Sequence, residues 1–126
     1  MSKVLVDTNV LILGLAGKKP YSNYLKKLIK EDRLVLSVIV VAEFLAGASE
    51  QEAKIFESLL ARFGAVEIDL SVARMAAFYR KKFVKLKRKV FMSDCMLAAV
   101  CRLNNYELVT LNRKDYPMGD IKFCKI

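Results

Sequence analysis

Histidine is absent from the chain. Imidazole is therefore unavailable as a general acid, a general base or a metal ligand. Cysteine is scarce: Cys95, Cys101 and Cys124 are odd in number and show no C-x-x-C spacing. A zinc hydrolase would lack its usual nitrogen and sulfur ligands. The three cysteines lie in apolar stretches and read as buried, reduced thiols of a cytoplasmic protein. No uninterrupted apolar run approaches the ~20 residues that span a bilayer. The segment after Lys3 has the outline of a signal peptide, with Ala16-Gly17 as its small-residue end. Asp7 and Asn9 interrupt what would be its apolar stretch, which argues against export. The expectation is a soluble, cytoplasmic protein with no membrane partner. Repeats, low-complexity tracts and linkers are also missing, so residues 1–126 are expected to form a single domain.

What the chain does have is apolar bulk and basic charge. Hydrophobic residues make up 55% of it, and 22 Lys and Arg stand against 13 Asp and Glu, a net charge of +9. A core is feasible at this size, and the charge favours a polyanionic partner: nucleic acid, an anionic membrane or an acidic protein. Val4-Leu5-Val6 stops at Asp7, as a buried parallel strand does on entering a loop. A short helix over Val10 to Leu15 is expected to end at Gly14 or Gly17. Tyr21, Tyr24, Leu25, Leu28 and Ile29 recur at helical spacing and predict a helix over 21–31. Leu34-Val35-Leu36 reads as a strand ending at Ser37. A helix over Val38 to Ala46 follows, ended by Gly47. Ser49 and Glu52 form a capping box for a helix with Ile55, Phe56, Leu59, Leu60 and Phe63 on one face, closed by Gly64. Val66-Glu67-Ile68 is a strand candidate. Val72, Met75, Ala76, Tyr79, Phe83 and Leu86 describe a helical stripe. Ser93 looks like the N-cap of a helix running to about Leu103 and stopped by Asn104-Asn105. Leu108-Val109-Thr110 and Ile121 to Cys124 are the last strand candidates. Alternating strands and helices predict an α/β protein, a three-layer α/β/α sandwich on a mostly parallel sheet of four or five strands.

Three acids interrupt the most apolar segments: Asp7, Glu43 and Asp94. Burial of one unpaired carboxylate costs several kcal/mol, so each needs a partner or a shared cation. Singly, Asp7 could cap the helix after it, Asp94 could sit in a first turn where acids suit the helix dipole, and Glu43 could pair with a lysine. Jointly, acids at or near strand-to-helix junctions predict one site. Oxygen-only ligands suit a hard divalent ion, Mg2+ with Mn2+ an acceptable replacement. Such an ion lowers the pKa of a bound water and offsets phosphoryl charge. An acidic metal pocket inside a basic protein fits phosphodiester substrates.

Four segments occur in order: Val4-Leu5-Val6-Asp7-Thr8-Asn9-Val10, Ser37 to Phe44, Ser93 to Ala99, and Leu108-Val109-Thr110-Leu111-Asn112-Arg113-Lys114-Asp115-Tyr116. Their order and spacing resemble the PIN-domain ribonucleases, and among them the VapC toxins of VapBC toxin–antitoxin pairs. The resemblance spans essentially the whole chain. It implies an Mg2+-dependent endoribonuclease acting on RNA, a homodimer, and inhibition by a small VapB-type antitoxin. It also implies that Asp7, Glu43 and Asp94 hold the metal. The family's last motif often places an acid two residues after the threonine, where this chain has Asn112. Asp115 lies three residues further on, so Asn112 and Asp115 both stand as the fourth member. Thr8, Asn9, Ser37 and Thr110 match positions that orient the carboxylates.

The basic run from Arg80 to Lys89 has two uses. Arg80, Lys81, Lys82, Lys85 and Arg88 could track an RNA backbone, with Tyr79 and Phe83 in the core rather than stacking on bases. The same patch could dock an acidic antitoxin segment, or it could be a solvated helix face. A distinct alternative for the whole chain is a non-catalytic basic module that binds RNA or a protein partner, its acids merely capping or paired.

Overall fold

Burial of the apolar strands sets the architecture. The computed structural model describes residues 1–126. It contains a four-stranded sheet of β1 (Val4–Val6), β2 (Leu34–Val35), β3 (Glu107–Val109) and β4 (Lys122–Phe123), in the order β2-β1-β3-β4. Every pairing is parallel; β1 aligns Leu5 with Val35 on one side and with Leu108 on the other. The six helices are α1 (Thr8–Leu15), α2 (Tyr21–Lys30), α3 (Val38–Gly47), α4 (Glu50–Phe63), α5 (Leu70–Lys85) and α6 (Met92–Asn104). One 3-10 turn, Arg113–Asp115, precedes β4. Val4, Leu5 and Val6 are fully buried, which explains why the strand reads as a continuous apolar run.

From β1 the chain moves by α1 and α2 to β2 on one side. From β2 it crosses back, through α3 to α6, to β3 on the other. Right-handed crossovers on the two sides of β1 place helices on both faces of the sheet, giving the expected three layers. α3, although it belongs to the second crossover, packs with α2 against α1, and α5 packs on α6. The reversal of direction between β1 and β3 makes a crevice at their carboxyl ends. Asp7 follows β1 and Thr110 follows β3, so both stand at that crevice.

Several expectations change. Val66-Glu67-Ile68 is not a strand: Val66 makes one isolated parallel bridge to Ser37. The chain at Ser37 is already turning into α3, which leaves no further edge to pair. Gly14 does not end α1. It lies buried within the helix, where an added Cβ would come 3.0 Å from Leu25 Cδ2, so its small size sets the close approach of α2. Ser93 is not a cap; α6 starts at Met92, two residues earlier than a Ser93 cap would set it, behind Phe91 and with no side-chain cap. α5 begins at Leu70, before the stripe, because Asp69 caps it by accepting from Val72 N at 2.9 Å. Leu86 lies past the end of α5 and is exposed, whereas Val72, Ala76, Tyr79 and Phe83 are buried. The Ser49 and Glu52 capping box is present, and Gly64 closes α4 with a φ of 68°. Cys95 and Cys101 are buried thiols, but Cys124 is only half-buried. On the apolar faces of α2 and α4, Leu25, Leu28 and Phe56 are buried in the core and Tyr21, Tyr24, Leu60 and Phe63 flank it. No helix is long and apolar enough to cross a membrane.

Candidate active site

Asp7 ends β1 and caps α1, so its backbone is held on both sides. Its N–H donates to Val109 O at 3.0 Å, and its Oδ1 accepts from Thr8 N at 2.8 Å. The capping reading is thus correct for Asp7, but it uses only one carboxylate oxygen. Oδ2 accepts from Thr110 Oγ1 at 2.8 Å and from Tyr116 OH at 3.0 Å. The residue is 7% exposed, and every donor to it is neutral. Asp94 lies in the first turn of α6, half-buried, and its Oδ1 lies 3.1 Å from the same Tyr116 hydroxyl. A hydroxyl has one proton, so at any instant Tyr116 donates to one carboxylate and turns a lone pair to the other. Burial, reinforced by the charges of Asp7 and Asp94, pushes the Tyr116 phenol far above its ordinary range, and it keeps that proton.

Burial, then the negative charges of Asp7, Asp115 and Glu43, push the Asp94 carboxyl up to about 6, with the Tyr116 bond pulling the other way. The charges of Asp7, Asp115 and Glu43 are all felt at Asp94, which places the three around it. Four ion pairs occur in the chain, and none involves Asp7, Glu43, Asp94 or Asp115. Glu43 therefore has no lysine partner. It is exposed rather than buried, and its Oε1 accepts from Thr8 Oγ1 at 2.7 Å. The burial cost expected of three acids applies to Asp7 and in part to Asp94, not to Glu43. The expected meeting is correspondingly looser. Asp7 and Asp94 share Tyr116, Glu43 is tied in through Thr8, and no three acidic side chains are gathered into an arrangement that could hold an ion. The donor set still suits a hard cation, being all oxygen, net negative and stabilised only by neutral donors.

The neighbouring polar residues divide by contact. Thr110 holds Asp7 and accepts from Asn112 N at 3.1 Å. Asn9 bridges the two strand ends, its Oδ1 accepting from Leu111 N at 3.1 Å and its amide reaching Thr110 Oγ1 at 3.5 Å. Ser37 touches none of the acids; it is fully buried and caps α3, accepting from Ile39 N at 3.1 Å. Of the two fourth-position candidates, Asp115 is half-buried and acts on Asp94, while Asn112 is exposed and contributes its backbone N–H. Tyr116 is not among the site residues the sequence predicts. Its only signal is position, since it adjoins Asp115 in the last motif.

The basic run is not one helix face. Arg80, Lys81, Lys82 and Lys85 are exposed on α5, but the helix ends there, and Arg88 lies in the connection to α6. Tyr79 and Phe83 are 2% and 5% exposed and belong to the core. Burial pushes the Cys95 thiol up while the Arg80 guanidinium pulls it down, which sets Arg80 near the first turn of α6.

A PIN-domain model matches residues 4–117 of the chain. The chain belongs to the PIN-domain family. This PIN domain is homologous to Ribonuclease VapC10 of Mycobacterium tuberculosis, 29% identical over 115 residues that cover 91% of this chain and 86% of the relative. In the crystal structure of DNA-bound VapBC from Salmonella typhimurium, one chain matches it with a TM-score of 0.82 at 22% identity over 98% of both. VapBC2 from Rickettsia felis, bound to a DNA fragment from its promoter, gives 0.81 at 20% identity over 96% of both. At these identities the structures establish the PIN fold; the family model establishes the membership.

Proposed function

We propose that this PIN domain is a metal-dependent endoribonuclease of the VapC type, the toxin of a VapBC pair that a VapB-type antitoxin restrains. The observation that carries it is the pair Asp7 and Asp94, two carboxylates sharing one buried phenol at the mouth of the sheet, with no cationic partner. Ribonuclease activity is what the name of the homologous VapC10 states, and the VapBC structures of similar fold supply the reason to expect an antitoxin.

Asp7 and Asp94 would hold a divalent ion, Mg2+ or Mn2+, with Glu43 linked to them through Thr8 and Asp115 acting on Asp94 by its charge. Such an ion supplies an activated water and charge compensation on the phosphodiester. The chain's own residues do the rest. Thr8 N, Thr110 and Tyr116 fix both oxygens of Asp7. Thr8 Oγ1 aims Glu43, whose exposed carboxylate is free to orient a water or take its proton. Arg80 and the lysines of α5 attract the RNA backbone, and homodimerisation would extend that surface.

The test is cleavage of structured RNA by the wild type with Mg2+, by the wild type with EDTA, and by Asp7→Asn. Loss of about 10^3 in rate in the last two is expected, since a lost ligand removes several kcal/mol of transition-state stabilisation. Equal cleavage in all three sinks the proposal. The loose gathering of the acids favours one other reading, a non-catalytic basic RNA-binding or partner-binding module. That module would bind RNA with strong salt dependence and show no shift in Tm with millimolar Mg2+.

A further inference from the structure

Beside the acid pair, over the carboxyl ends of β3 and β4, lies an open groove of about 470 Å3. That volume is within the range of small-molecule sites and ample for one nucleotide. Its wall nearest the acids is Thr110, whose hydroxyl lies 2.8 Å from Asp7 Oδ2, so the groove begins one side chain away from the pair. Arg113 and Lys125 line it, and no Asp or Glu side chain does. The groove is thus locally cationic where its neighbour is anionic. Arg113 lies over the Phe123 ring, its guanidinium carbon 3.4 Å from the ring centre. Stacking of this kind holds a guanidinium in one plane and leaves its N–H edge free for a bidentate acceptor. Tyr21, from the first turn of α2, adds an aromatic side chain to the lining.

We infer that this groove is the subsite for the nucleotide flanking the scissile phosphodiester, with Arg113 and Lys125 on its phosphate and Tyr21 against its base. The occupant follows from complementarity. A planar guanidinium and an ammonium select a phosphate, an aromatic wall accepts any base, and together they describe one ribonucleotide unit of a strand. Position gives it purpose. A strand with one unit in the groove passes Thr110 and brings its next phosphodiester to Asp7 and Asp94. The subsite rests on the nuclease reading for its role, but its binding chemistry does not require the metal.

The experiment uses the full chain. Adenosine and uridine 5′-monophosphates are titrated in EDTA and followed by amide shifts in NMR spectra. Separately, Mg2+-dependent cleavage of a short RNA is measured under single-turnover conditions. The expected shifts centre on Tyr21, Thr110, Arg113, Phe123 and Lys125. Arg113→Ala should weaken mononucleotide binding about tenfold, the scale of one charge-assisted phosphate contact. It should raise the half-saturating RNA concentration by a similar factor while changing the maximal rate little. Lys125→Ala, at an exposed position, gives the same direction if Arg113→Ala unfolds. No shifts in the groove, or binding indifferent to both substitutions, overturns the subsite even if RNA is cut normally. If the groove binds mononucleotide as described while the wild type cuts no RNA with any divalent ion, the nucleotide site stands and the nuclease reading falls.

Discussion

Tyr116→Phe removes one oxygen atom from the place where the two carboxylates meet. The ring itself should stay: it is 3% exposed and packs edge-on to Phe123, centroids 6.3 Å apart. The losses are unequal. Asp7 keeps Thr8 N and Thr110 Oγ1, both at 2.8 Å, whereas Tyr116 is the one favourable influence on the ionised form of Asp94 among the burial and like charges acting on it. A hydrogen bond to a charged group contributes about 1.5–3 kcal/mol; with Asp94 half-exposed and screened, about 1 kcal/mol of folding stability at pH 7 is the expected loss. The effect on ion binding should be larger in kind. Residues that orient metal ligands typically cost 10–100-fold in affinity when removed, so Mn2+ affinity at pH 7.5 should fall by roughly that factor. Electron paramagnetic resonance of free Mn2+ or calorimetry reads this without reference to cleavage. Circular dichroism and urea unfolding report that the fold survives. An Mn2+ affinity equal to the wild type's, or tighter, in a folded variant would refute the reasoning, because the hydroxyl would then compete with the ion rather than brace its ligands.

The pH dependence follows from the sign of the Asp94 shift. Its carboxyl is raised to about 6 from an ordinary 3.8, so between those values the folded state holds more protons than the unfolded one, and stability falls as pH rises. Urea unfolding in EDTA should show the wild type losing on the order of 1–2 kcal/mol relative to Asp94→Asn from pH 4 to 6.5, after discounting for solvent screening; a wild type that gains on the variant would contradict this. Thr8→Val removes the donor to Glu43 on the solvent side, so unfolding free energy should move by about 0.5 kcal/mol or less while single-turnover cleavage drops about tenfold. Equal losses in both measurements would make Thr8 merely structural. Asp115→Asn should lower the Asp94 carboxyl, by removing a like charge, and slow cleavage; Asn112→Ala should do neither. NMR titration of the Asp94 side-chain carboxyl together with rates in Mg2+ separates the two positions.

How much of this the sequence discloses depends on the reach of each interaction. Asp7 is legible because a lone charge ending a β-branched run is a local pattern, and the topology then fixes where a strand end points. Glu43 was legible as an acid out of place in an apolar run but not as an exposed one. α3 is apolar around most of its circumference, with Val38, Ile39 and Val41 only half-buried, so the run does not disclose which side faces water. Ser93 looked like a cap because serine favours that position, yet Phe91 adopts the extended backbone there and the helix starts without a side-chain cap. Ser37 matches a position expected to orient a carboxylate, but its hydroxyl is consumed by α3. Tyr116 is legible only by its place after Asp115 in the last motif. Its hydroxyl matters through contacts with residues 109 and 22 positions away in the chain, and nothing else in its neighbourhood marks it as other than a core aromatic.

The choice of neutral donors around Asp7 bears on how an acidic hollow persists in a protein of net charge +9. A single lysine or arginine drawn onto Asp7 would stabilise the carboxylate and cancel its charge. Thr8 N, Thr110 and Tyr116 stabilise it by dipoles alone, and the full negative charge remains at the crevice. The cations of α5 act on a different length scale. Exposed charges steer a polyanion over about one Debye length, roughly 8–10 Å, before screening removes them, so they can gather a phosphate backbone without entering the hollow. The two fields are compatible only while the basic side chains stay outside hydrogen-bonding reach of the acids, and the absence of any ion pair to Asp7, Glu43, Asp94 or Asp115 meets that condition. A lysine placed at Thr110 should therefore do more harm than an alanine there. Alanine loosens Asp7, whereas lysine neutralises the potential a divalent ion needs, and Mn2+ affinity should rank the wild type first, Thr110→Ala second and Thr110→Lys last.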